Sequence, residues 1–550
     1  MSARYDDCTD VNDLFDRYWR GTMDDSPETA TYVGWHEHHD RWTDNTRDAI
    51  ERRRSEVGEP LTAVHRINRR ALSDADRLSH DVFEAQVTNE VALAPFPNEL
   101  LAIDQMDGPQ NEIPLVLSIT PIGDGSDYLS RLRGITDLLE QKRSLLEEGL
   151  RRGITVPAIC LRDVPEQLDA HLDDDLSQSP ELLPLADAPS DVRSEAEAIV
   201  REQVQPAYRA LRDFLVDTYL PGARRSIALT ELPDGPDWYA AWVRYHTTTD
   251  LSPQEIHEIG NAEVERIGAA MRDVMQQIGF TGTKAEFADH LATDPRFYFA
   301  SEEALLAFYR DIAKRIDPAV PKLFRLLPRL PFGIVAVPPE QAASAAAAFY
   351  VQGSLALGRP GTFYANTYDL TSRPSWNMES ICLHEAVPGH HFQIAIAQEL
   401  EGLPEFRRQS LANTAYIEGW GLYCESLGTE MGMYTDPYQL YGALDAELLR
   451  AIRLVLDTGM HALGWSRDRA IDFFAEHSAS PRHEIITEVD RYLVLPGQAL
   501  AYKVGERKLQ ELRRRYPSAD VRDFHDEVLR HGALPLGILE RLVDERFAAS

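Results

Sequence analysis

Lysine is nearly absent from this 550-residue chain. It stands only at positions 142, 284, 314, 322, 503 and 508, so almost all of the 56 basic residues are arginine. Acidic residues number 89, which leaves a formal net charge of −33. A surface of that sign repels a phosphate backbone, which argues against nucleic acid as a partner, and it offers no basic face to an anionic membrane. Cysteine is equally scarce. Cys8, Cys160, Cys382 and Cys424 are scattered, with no CxxC pair and no disulfide framework. Long apolar runs are missing too. The most apolar run, 342–351, falls short of the roughly 18 residues that a membrane span needs. The opening residues, MSARYDDCTDVNDLF, lack the apolar stretch of a secretory signal. Together these absences point to a cytoplasmic protein with reduced thiols. So many carboxylates with so little lysine point further to a halophilic cytoplasm, where charge keeps the chain soluble and salt screens its self-repulsion.

What is present is a helical pattern. Hydrophobic residues make up 43% of the chain, too many for a disordered one. Apolar positions recur at three- and four-residue spacing over 127–152, 191–220, 253–278, 301–316, 379–400, 409–430, 438–464 and 498–515, which predicts helices there. Asp10 or Asp13, Ser252 and Ser301 are candidate N-caps, with Pro253 at the first helical position after Ser252. Strand signals are confined to 331–338 and 361–370, where β-branched and aromatic residues lie between Gly and Pro. The acidic segment 172–192 reads as a surface loop. The expectation is a large, mainly α body, which could divide into two lobes. Residues 1–330 would form a helical scaffold and 331–550 the region that carries chemistry, with a small β element ahead of its helices.

The densest chemical signal is Leu383-His384-Glu385-Ala386-Val387-Pro388-Gly389-His390-His391-Phe392-Gln393. Three histidines and a glutamate fall within eight residues, among apolar neighbours. A helix of the HExxH type puts two imidazoles on one zinc with the glutamate alongside. Here Pro388 occupies the place of the second histidine. On an unbroken helix His390 would sit about 240° round from His384, and His391 on its face but about 10 Å along it. Neither could share an ion with His384. Pro388 removes a backbone donor and Gly389 loosens the chain, so a break is expected there. With Val387 and Pro388 looped out, His384, Glu385 and His390 regain the HExxH relation. His384 and His390 are the preferred ligands and His391 the alternative. The third ligand is expected to be a carboxylate on a following helix. Glu418 lies 28 residues after His390, and Glu425 is two turns further on the same face, placed to orient a ligand from behind. His36-Glu37-His38-His39 reads as a solvated turn. His257-Glu258 fails the template, because Asn261 stands where a histidine is needed.

The stretch from Arg359-Pro360-Gly361 through Gln393 resembles a large microbial family known only as a domain of unknown function. So do Glu418-Gly419-Trp420-Gly421-Leu422-Tyr423, Asp457-Thr458-Gly459-Met460-His461, and Arg491-Tyr492 with Pro496-Gly497-Gln498-Ala499-Leu500 and Tyr502-Lys503. The likeness spans nearly the whole chain and is most specific over 359–505. More remotely, the chain is similar to the helical zinc peptidases of the thimet oligopeptidase and Taq carboxypeptidase kind. Those carry HExGH on one helix and a ligand glutamate on a later one, with a further acidic residue two turns on in the oligopeptidases. Carried over residue by residue, this resemblance implies a helical zinc-peptidase-like fold, zinc on His384, His390 and Glu418, Glu385 as general base, and Glu425 behind the ligands. The two-residue insertion departs from the pattern.

The implied reaction is hydrolysis of peptide bonds, in short peptides, by a metal-activated water. Its oxyanion needs donors. Tyr502 comes first by the resemblance, with His461, Tyr492 and Arg491 as further candidates. The strand 361–370 could offer an edge to an extended peptide, which would put Tyr364, Asn366 and Arg373 near it. Arg491, Lys503 or Arg453 would suit a terminal carboxylate. Two alternatives compete: a zinc amidase acting on a small non-peptide amide, and a catalytically silent helical scaffold whose insertion has spoiled the site.

Overall fold

The computed structural model describes residues 4, 5, 8–35, 37–338, 342, 345–354, 358–409, 412–478 and 480–548. The chain forms two compact units, Met1–Tyr239 and Ala240–Ser550, and is mainly α in both. Position 330 lies inside the second unit, just before its first strand. Of the polar turn 36–39, His36 lies outside the described residues; His38 pairs with Asp24 at 2.9 Å, half-buried.

The first unit is built on long helices. Ser126–Arg152 buries Tyr128, Leu132, Ile135, Leu139 and Leu146 along one stripe and ends on left-handed Gly153. A helical rod from Ser190 to Gly222 contains two π-helical turns, Val200–Val204 and Leu215–Tyr219. Each comes just before a proline, Pro206 and Pro221. A π turn widens the ladder where a proline ring and its missing N–H would otherwise clash with it.

In the second unit α1 (Pro253–Ile278) opens with the anticipated cap. Ser252 accepts from the Glu255 N–H while the Glu255 side chain answers the Ser252 N–H. Three strands follow: β1 (Phe332–Ala336), β2 (Ala348–Val351) and β3 (Gly361–Ala365). Their order is β1-β3-β2, with β1 parallel and β2 antiparallel to β3. Strand β2 is hidden in an alanine-rich run whose sequence is merely apolar. β3 is therefore central and has no free edge, which corrects the expectation that an extended peptide could pair with 361–370. The strand also stops at Ala365. Asn366 turns inward there and donates from Nδ2 to the Ala342 and Ala345 carbonyls.

Beyond the sheet come α2 (Met378–Glu385), α3 (His390–Glu399), α4 (Thr414–Ser426), α5 (Pro437–Ala462), α6 (Arg482–Val494) and α7 (Ala501–Arg515). α4 packs on α7 and α1 on α5. Gly419 and Gly505 let the first pair approach closely: a Cβ at Gly419 would stand 2.5 Å from Gly505 Cα. Among the described residues no helix is long and apolar enough to cross a membrane.

Candidate metal centre

α2 stops at Glu385 because the next four residues cannot continue it. Pro388 has no N–H. Ala386 (φ −105°, ψ −104°) and Gly389 (φ −75°, ψ −130°) leave the helical region, and the Val387–Pro388 bond is cis. The helix resumes at His390. Trp420 of α4 donates from Nε1 to the Pro388 carbonyl at 2.8 Å and ties the break to its neighbour. Gly389 fits so closely under α2 that a Cβ would collide with the Leu383 and His384 carbonyls. Two imidazoles that a straight helix would separate thereby meet, with ring centroids 4.7 Å apart and planes nearly perpendicular.

α4 brings Glu418 to both. Its Oε2 is 3.4 Å from His390 Nε2 and 3.6 Å from His384 Nε2, and although buried it accepts no hydrogen bond among the described residues. The three ligand atoms lie within 4.8 Å of one another. Donors on one zinc, at about 2.0–2.2 Å each, stand about 3–4 Å apart. Two imidazoles and a carboxylate are also the donor set of catalytic zinc sites that keep an open position. The residues present fit a zinc ion.

The surroundings hold His384 firmly. Its Nδ1 donates to Glu425 Oε1 at 2.7 Å; Glu425 also accepts from Ser380 Oγ at 2.5 Å and pairs with Arg450 at 3.2 Å. This hydrogen bond fixes the His384 tautomer with Nε2 facing Glu418. Gly421 leaves room for the ring, since a Cβ there would lie 2.8–3.0 Å from it. Burial alone would lower the His384 pKa, but Glu418 and Glu425 outweigh it and lift it to about 9. Burial would raise Glu425; Arg450 and His384 hold it below the ordinary carboxylate value. Against the same burial, His384 and His390 hold Glu418 well below that value. His390 differs from His384, because its Nδ1 is buried without a hydrogen-bond partner among the described residues.

His391 points elsewhere. Its Nδ1 meets the Tyr350 hydroxyl at 3.0 Å and its ring lies 4.8 Å from that of Phe332, so it is His390 that stands beside His384. Glu385, at the end of α2, is half-buried and has no ion-pair partner among the described residues. Tyr502 is half-buried on the first turn of α7, with the Arg453 guanidinium 4.6 Å over its ring. Burial raises its phenol, with the Glu418 carboxylate adding and Arg453 and Arg491 opposing. Arg491 donates to Gln498 Oε1 at 2.7 Å.

Other candidates are engaged in the fold. His461 is fully buried and donates from Nε2 to the Tyr492 carbonyl at 2.8 Å. The Tyr492 hydroxyl donates to Glu488 at 2.6 Å. Asn366 is 1% exposed and spends its amide on the Ala342 and Ala345 carbonyls. Tyr364 stacks on Phe349 of β2, centroids 5.1 Å apart. Lys503, 1% exposed, lies 2.5 Å from both Glu447 and Glu506, so it is no partner for a substrate carboxylate. Ser380, Arg450 and Tyr350 went unforeseen. Ser380 lies one turn before His384 on the same helical face and was legible in principle; the other two come from distant segments.

The profile of a family described as "Bacterial protein of unknown function (DUF885)" matches residues 27–543. Among solved structures, a protein of Colwellia psychrerythraea, provisionally called a lipoprotein, superposes with a TM-score of 0.92 at 26% identity, over 98% of this chain and 99% of its own. A protein of Shewanella oneidensis, also provisionally called a lipoprotein and of unknown function, gives a TM-score of 0.75 at 16% identity, over 97% and 100%. No curated protein matches.

Proposed function

We propose that this chain, which belongs to that family of bacterial proteins of unknown function, is a zinc-dependent peptidase that cleaves short peptides. One observation carries the reading: the Nε2 atoms of His384 and His390 converge on a buried Glu418 oxygen that has no hydrogen bond among the described residues, with Glu385, which has no ion-pair partner among them, next along the helix. The remote similarity to HExGH zinc peptidases assigns the same four residues. A zinc ion bound there supplies a Lewis acid and brings the pKa of a water toward neutrality.

The rest falls to the chain. Glu385 accepts the proton of the attacking water and returns it to the leaving amine. Tyr502, kept protonated by burial, donates to the oxygen that becomes negative. Arg453 and Arg491 temper the charge around that phenol. The extended substrate pairs with the outer edge of β2, which has no strand neighbour among the described residues and lies against α2 and α3.

Zinc analysis of chain purified without chelator, followed by a peptide-library profile, tests this. The expected result is stoichiometric zinc, cleavage of short peptides, and a loss of about 10²–10⁴ in kcat for Glu385→Gln with zinc retained. Glu385→Gln cleaving at the wild-type rate would refute the assigned base. Zinc-dependent turnover of small amides with no peptide cut would favour the amidase instead.

A further inference from the structure

The first unit contains a second cluster of ligating side chains, unrelated to the site above. His80, Asp81 and Glu84 lie on the helix Asp74–Leu93, and their ligand atoms fall within 4.8 Å of one another. His80 is 4% exposed. Its Nε2 faces the Val64 carbonyl at 3.2 Å, and a carbonyl can only accept, so the proton sits on Nε2. That leaves Nδ1, which is buried and has no hydrogen-bond partner among the described residues. It points at Asp81 Oδ1, 3.7 Å away, and at Glu84 Oε2, 3.9 Å away.

Neither protonation state of Nδ1 is satisfied as it stands. A lone pair there faces two carboxylates with nothing between them. A proton there makes a buried imidazolium whose nearest acceptors are beyond hydrogen-bond reach. A divalent ion resolves the conflict, because separations of about 3–4 Å between donors are those of ligands on one metal. The site is also braced. The His65 Nε2 lies 2.9 Å from Glu84 Oε1 and orients that carboxylate, and the Val64 carbonyl fixes the His80 tautomer, as backbone carbonyls do behind ligating histidines. Arg69 holds Asp81 in a two-pronged pair at 2.5 and 2.7 Å, so Asp81 Oδ1 already accepts from a cation and is the weaker donor to a metal. His80 and Glu84, one turn apart, are therefore the principal ligands, with Asp81 the third.

We propose that His80, Glu84 and Asp81 form a second binding site, for a divalent transition-metal ion of the zinc class, where the helices Glu59–Arg66 and Asp74–Leu93 meet. Nitrogen with carboxylate oxygen suits zinc-class ions better than calcium or magnesium, which prefer oxygen alone.

The test is a zinc titration of the full chain after chelation, read by metal analysis and calorimetry, with folding followed by circular dichroism. The wild type is expected to take up two equivalents. Glu84→Gln and His80→Gln should each lose one and keep peptide cleavage, whereas His384→Ala should lose the other. The double variant His384→Ala with Glu84→Gln should bind none. One equivalent in His384→Ala that persists when Glu84→Gln or His80→Gln is added would overturn the assignment. So would a wild-type chain whose zinc is lost entirely with His384→Ala, which would mark the His80 cluster as an imidazolium–carboxylate contact. Glu84 is partly exposed, so its substitution keeps the test open if His80→Gln does not fold. Failure of the central site reads differently: zinc would then respond to Glu84→Gln and not to His384→Ala.

Discussion

At His384 the two ring nitrogens have separate partners. Nε2 faces Glu418 across a gap that fits an ion, and Nδ1 is held by Glu425. Removing the Glu425 charge without changing its shape should loosen that orientation. Glu425→Gln is expected to weaken zinc binding about 10–100-fold, measured by competition with a chromogenic chelator, and to leave the fold intact. A second residue-scale prediction concerns the first unit. His171 donates from Nδ1 to Glu181 Oε1 at 2.6 Å and from Nε2 to the Gln110 carbonyl at 3.1 Å, and Ser179 adds a donor to Glu181 at 2.8 Å. Burial would raise the Glu181 carboxyl, but His171 and Ser179 outweigh it and hold it below its ordinary value. A depressed carboxyl stabilises fully above its unfolded pKa, about 4.3, and loses that contribution as pH falls through the lower folded value. Urea midpoints should therefore fall on the acid side of about pH 4.3 in the wild type. In Glu181→Gln that limb should flatten. The variant should also be less stable near neutrality, by about 1–3 kcal/mol, because His171 and Ser179 then lose the charged acceptor that they share.

At the scale of elements, the break between α2 and α3 makes the cluster. His384 and His390 are six residues apart, and only a chain that leaves helical geometry at Ala386 and re-enters after Gly389 can turn both rings the same way. α4 contributes more than Glu418, because Trp420 clamps the break through the Pro388 carbonyl. Trp420→Phe keeps the aromatic packing and deletes that donor. The expected cost is about 1–3 kcal/mol, the penalty for an unsatisfied buried acceptor, seen as a lower thermal midpoint. Zinc retention should fall with it, and helix content should not. Unchanged zinc affinity in a destabilised variant would mean that the clamp supports the fold and not the site. The break itself was legible from Pro388 and Gly389, and so was a carboxylate on a following helix. The clamp was not, because nothing local marks a tryptophan as the partner of a carbonyl 32 residues earlier.

For the molecule as a whole, the charge of −33 is a load that salt relieves. Many carboxylates pair with arginine at the surface, as in the cluster of Arg515 with Glu511, Glu540 and Asp544. The uncompensated remainder repels itself. The Debye length shrinks from about 10 Å at 0.1 M to about 3 Å at 1 M, so added potassium chloride should raise the thermal midpoint across that range. A midpoint that falls with salt would mean that surface ion pairs outweigh the excess charge and would remove the reason to expect adaptation to high salt.

By itself the sequence determined what is periodic and what is local. The helical class followed from apolar spacing, the start of α1 from Ser252 and Pro253, and the candidate set of His384, Glu418 and either His390 or His391 from residue types at set intervals. Tertiary structure decided what depends on neighbours far along the chain. It placed β3 between two strands and so moved the open edge to β2. It paired Lys503 with Glu447 and Glu506, used Asn366 and His461 inside the fold, and turned His391 toward Tyr350. The physical reason is that spacing along a helix or strand sets which face a side chain occupies, whereas its partner there is set by which segment packs against that face.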